Sequence, residues 1–126
     1  MCSFWAAAGI GRETALAFCR EGAIVHAIDR DARLLRELSD ESPGMVPHVL
    51  DLTDSDAIDR FHAGLERLDV QVNCAGIVPV GTLLDCNRMQ WEGAFEINVT
   101  AIFSMMQAGV ARMLKGGGAR SSMWPR

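Results

Sequence analysis

Apolar residues along this chain fall into short runs that end in acidic or amide residues, and the runs alternate with stretches of helical period. Ala23-Ile24-Val25-His26-Ala27-Ile28 leads to Asp29, Met45-Val46-Pro47-His48-Val49-Leu50 to Asp51-Leu52, and Val70-Gln71-Val72 to Asn73-Cys74-Ala75-Gly76. Near-continuous apolar runs of this length suit strands of a parallel sheet, because helices cover both faces of such strands. Between the runs the pattern predicts helices. One runs from the glycine turn at Gly9 and Gly11 through Phe18, one is capped by Thr53 and reaches Leu68, and a long one spans Asn87 to Lys115 before a turn at Gly116-Gly117-Gly118. Alternation of this kind predicts an α/β fold that binds ligands beyond the carboxyl ends of its strands.

The first helix starts in a place that carries chemistry. Ala6-Ala7-Ala8-Gly9-Ile10-Gly11 runs straight into it, and Asp29 follows at the end of the next apolar run. A helix beginning at a glycine turn aims unpaired N–H groups and the positive end of its dipole at whatever lies there. Glycine also lets a pyrophosphate approach the backbone without meeting a Cβ. An acidic residue closing the following strand can accept both hydroxyls of an adenosine ribose, so the layout predicts an NAD-type site on a Rossmann-type, doubly wound parallel sheet. Each residue also has an ordinary reading. Asp29 can be a turn residue, Asp51 a helix cap, Asn73 an amide that satisfies buried backbone groups, and Asn98 a solvated position on the long helix.

Taken together, Ala6-Ala7-Ala8-Gly9-Ile10-Gly11, Asp51-Leu52, Asn73-x-Ala75-Gly76 and Asn98-Val99 resemble, in order and spacing, the first half of a short-chain dehydrogenase/reductase. The resemblance covers about residues 6–118. Within the family, Glu66-Arg67-Leu68-Asp69-Val70 and Gly81-Thr82-Leu83-Leu84-Asp85-Cys86 are similar to the cytosolic type 2 3-hydroxybutyrate dehydrogenases, which use NAD. The resemblance implies that Gly9, Ile10 and Gly11 hold pyrophosphate, Asp29 the ribose, Asp51 and Leu52 the adenine, and Asn73, Ala75 and Gly76 the middle of the cofactor. It implies for Asn98 a catalytic part, ordering a water in a proton relay. Ala8 stands where a basic residue would favour NADP, so with Asp29 it favours NAD; Arg30 points the other way. The long helix at 87–115 is implied as a pairing surface, with a second copy or with a full-length homologue.

The chemistry implied by the family needs a tyrosine general acid/base, a lysine four residues on and a serine that orients the substrate carbonyl. The 126 residues hold no tyrosine, and Lys115 is their one lysine. It reads as a charge at a helix C-terminus. Hydride transfer by this chain is therefore not expected, and the rival reading is a non-catalytic nucleotide-binding or dimer-interaction fragment that modulates a full-length homologue. Both ends also depart from the family pattern. Read one base out of register, Met1-Cys2 encodes Val, Phe4-Trp5 Leu and Trp5-Ala6 Gly, which allows a first strand Val-Leu-Ile-Leu-Gly. The same shift near Met123-Trp124-Pro125 allows Gly-Glu-Ile-Val-Asn-Val-Ala-Ser. The expectation is one partial Rossmann domain whose residues 1–5 and 119–126 are out of frame. Its central first strand would be damaged, Trp5 would stand in place of a glycine, and the strand at 70–72 would form a bare edge.

Composition narrows the remaining classes. A formal net charge of −4 with 49% apolar residues fits one globular domain and gives no basic patch for nucleic acid; Arg30, Arg33 and Arg36 read as solvated helix positions. No apolar stretch reaches the length of a membrane span and no signal peptide is evident, which predicts a cytoplasmic protein. Cys2, Cys19, Cys74 and Cys86 lack metal-ligand spacing and the histidines are isolated, so no metal site is expected and the thiols read as reduced. Met105, Met106 and Met113 on the long helix read as packing or dimer surface.

Overall fold

The computed structural model describes residues 2–4 and 6–116. Its elements are β1 (Cys2–Phe4), α1 (Gly9–Arg20), β2 (Val25–Asp29), α2 (Ala32–Glu41), β3 (Met45–Val49), α3 (Ser55–Gly64), β4 (Gln71–Asn73), α4 (Arg88–Phe95), a π turn (Glu96–Thr100) and α5 (Ala101–Lys115). The four strands form one parallel sheet in the order β3-β2-β1-β4. The segment expected to be a damaged first strand nevertheless takes the central place, three residues long, with Ser3 level with Ala27 on one side and Val72 on the other. Trp5 and residues 117–126 lie outside the described residues, so the expectations placed on them stay where they were. Among the described residues β4 closes one edge of the sheet, as expected, and β3 closes the other. An edge is where Pro47 of β3 is tolerated, because its missing N–H interrupts no interior ladder.

Alternation along β2 divides the core in two. Val25 and Ala27 face a cluster with Ala15 of α1 and Leu35 and Leu38 of α2. Ile28 faces the other side, with Ile58 of α3, Leu65, Leu68, and Ala101 and Met105 of α5. Helices thus cover both faces, and the sheet is doubly wound. Arg12 on α1 and Glu41 at the end of α2 form an ion pair that ties the first two helices together.

Three expectations need correction. The helix after β3 starts at Ser55 and stops at Gly64, and its cap is Asp54, whose carboxylate accepts the Ala57 amide at 2.9 Å. Thr53 is not the cap, because its own amide and hydroxyl both donate to Asp51. Leu65, in extended backbone, and Leu68 are buried from the segment beyond the helix. The long helix does run from 88 to 115, with Asn87 and Gln90 forming a reciprocal cap at its start, but the π turn widens it in the middle. Counted through that turn, Arg88–Lys115 is long and apolar enough to cross a membrane by length and composition, contrary to the reading of the sequence. Polar residues interrupt its apolar run without interrupting the helix. In this fold it packs Ala101 and Met105 into the core beside α3.

Candidate functional site

Ala6 and Ala7 are buried, and the Ala6 amide donates to the Ile28 carbonyl at 3.2 Å, which carries the β1–β2 ladder past Phe4. The chain then turns at Gly9 with φ +55°, a conformation that side chains disfavour, and nothing lies within 4 Å of where a Cβ would stand. The N-cap of α1 is Ala8, which has no side-chain acceptor, and the first turn holds no acidic residue. The first amides of α1 therefore direct their N–H groups and the helix dipole outward. Positive potential here comes from these backbone amides, and Arg30 is a cationic side chain in the lining of the same cavity.

Across from that turn, Asp29 ends β2 at 9% exposure, and its Oδ1 accepts the Asp31 amide at 3.0 Å. Asp31 in turn caps α2 through the amides of Leu34 and Arg33. Those amide bonds, Leu34 first, hold its carboxyl below the usual carboxylate range, against a smaller desolvation that acts the other way. One cavity of about 460 Å³ joins Gly9, Ile10, Gly11 and Asp29 with Leu34 and Cys74. The fold thus brings together the residues assigned to pyrophosphate and ribose.

The other assigned residues are not in the lining of that cavity. Asp51 follows β3 and accepts the Thr53 amide at 2.9 Å and hydroxyl at 2.8 Å, bonds that lower its pKa. Leu52 is buried among Ile28 and Ile58, so its side chain belongs to the core and only its backbone is left for an adenine. Asn73 ends β4, half-buried, and its Oδ1 accepts from Gln71 Nε2 at 3.2 Å. Ala75 is a core residue. Gly76 lies so near the long helix that a Cβ there would stand 3.4 Å from Asn98 Oδ1. Asn98 itself lies in the π turn, where its Oδ1 accepts the Ile77 amide and its Nδ2 donates to the Ile77 carbonyl, both at 2.8 Å. Both ends of that amide are engaged by backbone. The side chain therefore pins the loop after β4 to the helix.

Leu34, Cys74 and Ile77 belong to these two assemblies and were not among the candidate site residues. Cys74 lay within the quoted Asn73–Gly76 tract, but the part of Ile77 is played by its main chain, which leaves no signature in side-chain type. A second cavity of about 500 Å³ flanks Asn98, bounded by Pro79, Leu83, Trp91, Phe95 and Val99. Among the described residues no group of three or more His, Cys, Asp or Glu side chains is arranged to hold a metal ion.

A four-stranded parallel sheet with a glycine turn and an acidic strand end at its carboxyl edge defines a Rossmann-type α/β protein. The profile described as short chain dehydrogenase matches residues 5–120, and the chain belongs to that family. It is 44% identical over 109 residues to rat Dehydrogenase/reductase SDR family member 6, covering 86% of this chain and 44% of the relative. It is 45% identical over 112 residues to the 2-keto-3-deoxy-L-fuconate dehydrogenase of Xanthomonas campestris pv. campestris, covering 89% and 37%. A solved short-chain dehydrogenase from Streptomyces avermitilis superposes with TM-score 0.85 at 28% identity, over 94% of this chain and 46% of that one. The chain thus spans less than half the length of these relatives.

Proposed function

We propose that this chain binds NAD and represents the cofactor-binding part of an oxidoreductase for a small hydroxy acid or other secondary alcohol, of the 3-hydroxybutyrate kind. The observation that carries the reading is the uncapped start of α1. Gly9 in its left-handed conformation leaves the space of a missing Cβ open, in the cavity that also holds Asp29. That geometry fits a dinucleotide. The amides at Gly9, Ile10 and Gly11 would take the pyrophosphate, Asp29 the ribose hydroxyls, Asp51 and the Leu52 backbone the adenine, and the segment Asn73–Gly76 the middle of the cofactor. When bound, the nicotinamide would supply the hydride acceptor. Asn98 would hold the loop through Ile77 and, in the π turn, order a water of the proton relay. Asp29 beside Ala8 supports NAD over NADP, because a 2′-phosphate would meet a carboxylate.

Calorimetric titration tests this reading. NAD should bind more tightly than NADP, and Asp29→Ala should narrow the difference; tighter NADP binding by the unsubstituted chain would refute it and assign the phosphate to Arg30. These 126 residues should not oxidise 3-hydroxybutyrate. General acid/base catalysis is worth about 10²–10⁴-fold, and they contain no tyrosine to supply it. The free thiols of Cys19, Cys74 and Cys86 accord with a cytoplasmic protein.

A second reading rests on the long helix. Trp91, Phe95, Val99 and Phe103 recur every four residues, and they are 54%, 48%, 52% and 58% exposed. Such a stripe supports a non-catalytic role, pairing with a second copy or a full-length homologue. Sedimentation of the chain alone and mixed with a full-length family member distinguishes the two: a monomer in both cases rejects it.

A further inference from the structure

The three histidines, isolated in sequence, meet in the fold on the α3 side of the sheet. His26 lies on β2 and His48 on β3, level with Ile28, so the two imidazoles are diagonal neighbours on one face. Their rings stack with centroids 5.1 Å apart, and His26 Nδ1 lies 2.9 Å from His48 Nε2. Phe61 of α3 stands edge-on to His48 at 4.9 Å and to His26 at 6.3 Å, and on its other side to His62 at 5.1 Å. His62 is 3% exposed, and its Nδ1 donates to the Ile58 carbonyl at 2.9 Å. Its Nε2 is then the acceptor of a neutral ring, buried without a hydrogen-bond partner.

Neutral imidazoles suit every one of these contacts. A bond between two rings needs one donor and one acceptor, and two charged rings would set N–H against N–H. A proton on His62 Nε2 would place a cation on a side chain that is 3% exposed, at an atom with no hydrogen-bond partner. We propose that the His26–His48–Phe61–His62 cluster is an acid-sensitive latch, which holds α3 on the β2–β3 face while its imidazoles are neutral and releases it when they are protonated.

The surroundings act in the same direction. Burial is the largest cause that lowers the pKa of each ring. The positive amino terminus adds to it at His26, and His26 adds to it at His48. Three groups oppose it at His62. They are the Ile58 carbonyl, the Gln71 amide on β4, which is near Nε2 without making a hydrogen bond of normal geometry, and Asp59 on α3. On α5, which packs against α3, Arg112 donates to the Glu66 carbonyl at 2.6 Å. Because the folded pKa values lie below the ordinary value of about 6.5, the unfolded chain binds more protons just below that pH. The latch therefore contributes fully above about pH 6.5 and is lost as pH falls further. The carboxylates with lowered pKa, Asp31, Asp51 and Asp85, lose their contributions at lower pH, below their ordinary range near 4.

The test is urea unfolding of the 126-residue chain at several pH values between about 8 and 5.5, with imidazole proton NMR over the same range. The unfolding midpoint should drop across this range with uptake of more than one proton, and the three rings should titrate below the ordinary value of about 6.5. The double variant His26→Gln/His48→Gln should lose most of the pH dependence. A flat midpoint, ring titrations at the ordinary value, or an unchanged slope in the double variant would each overturn the proposal. If that variant does not fold, the ring titrations of the unsubstituted chain decide.

Discussion

The two faces of this sheet are built on different terms. The α1–α2 face is closed by Ala15, Val25, Ala27, Leu35 and Leu38, which carry no polar side-chain atom. The α3–α5 face carries a comparable apolar cluster, but it also buries His62, stacks His26 on His48, and brings Gln71 of β4 against Gly109 of α5. The apolar contacts of the dry face do not themselves titrate; its pH dependence is confined to the Asp31 cap and the Arg12–Glu41 pair at its rim. A face with polar groups is stable only while each of them has a partner and the right charge. The candidate site residues follow the division. The glycine turn sits at the head of the dry face, where rigid packing sets the backbone, whereas Asn73, Gly76 and Asn98 belong to the polar one.

Truncations should expose the contrast most strongly. Leu35→Ala on the dry face and Ile58→Ala on the other should each cost about 2–5 kcal/mol in urea unfolding near neutral pH. They should differ below pH 6.5: Leu35→Ala keeps the acid sensitivity of the unsubstituted chain, while Ile58→Ala, which opens space beside His62, weakens it. Equal behaviour of the two would erase the distinction.

Gly109→Val comes next. A Cβ at 109 would overlap the Gln71 side-chain amide, and over-packing of this kind costs about 1–3 kcal/mol. The cost should largely vanish in a Gln71→Ala background, because the two side chains then no longer compete; a double-mutant cycle measures the coupling. Additive effects would mean that α5 and β4 do not meet through Gln71.

Asn98→Ala removes two hydrogen bonds to Ile77, each worth about 0.5–1.5 kcal/mol, so a loss of about 1–3 kcal/mol is expected. Protection of the Ile77 amide from hydrogen exchange should fall by more than the global stability does, since the loop is released locally. The smallest effect is expected for Asp54→Ala. It removes the cap of α3 and should cost about 1 kcal/mol, whatever the state of the histidines.

Much of the fold is legible in the sequence. The apolar runs at 23–28, 45–50 and 70–72 became β2, β3 and β4 with shifts of one or two residues, because a parallel strand covered on both faces leaves a continuous apolar signal. Helix limits were less legible. Thr53 and Asp54 are both good caps by type, and only the capture of Thr53 by Asp51 decided between them. In the site, the positions of Gly9 at the turn and Asp29 at the end of β2 are readable, because a left-handed turn favours glycine and an apolar run ending in a carboxylate marks a strand end. Leu52 and Ala75 were assigned to the ligand, and their side chains turned out to serve the core.

The sequence by itself determined the alternation of strand and helix, the glycine turn before α1 and the acid at the end of β2, since these depend on local period and on backbone freedom. Tertiary structure alone decided the rest. It placed the short segment Cys2–Phe4 between β2 and β4, closed Asn98 onto the Ile77 backbone, and gathered His26, His48 and His62 around Phe61. Apart from the neighbours Phe61 and His62, those three outcomes join residues thirteen or more positions apart, and the second depends on main-chain atoms common to every residue. No local pattern encodes such contacts; strand register and helix packing create them.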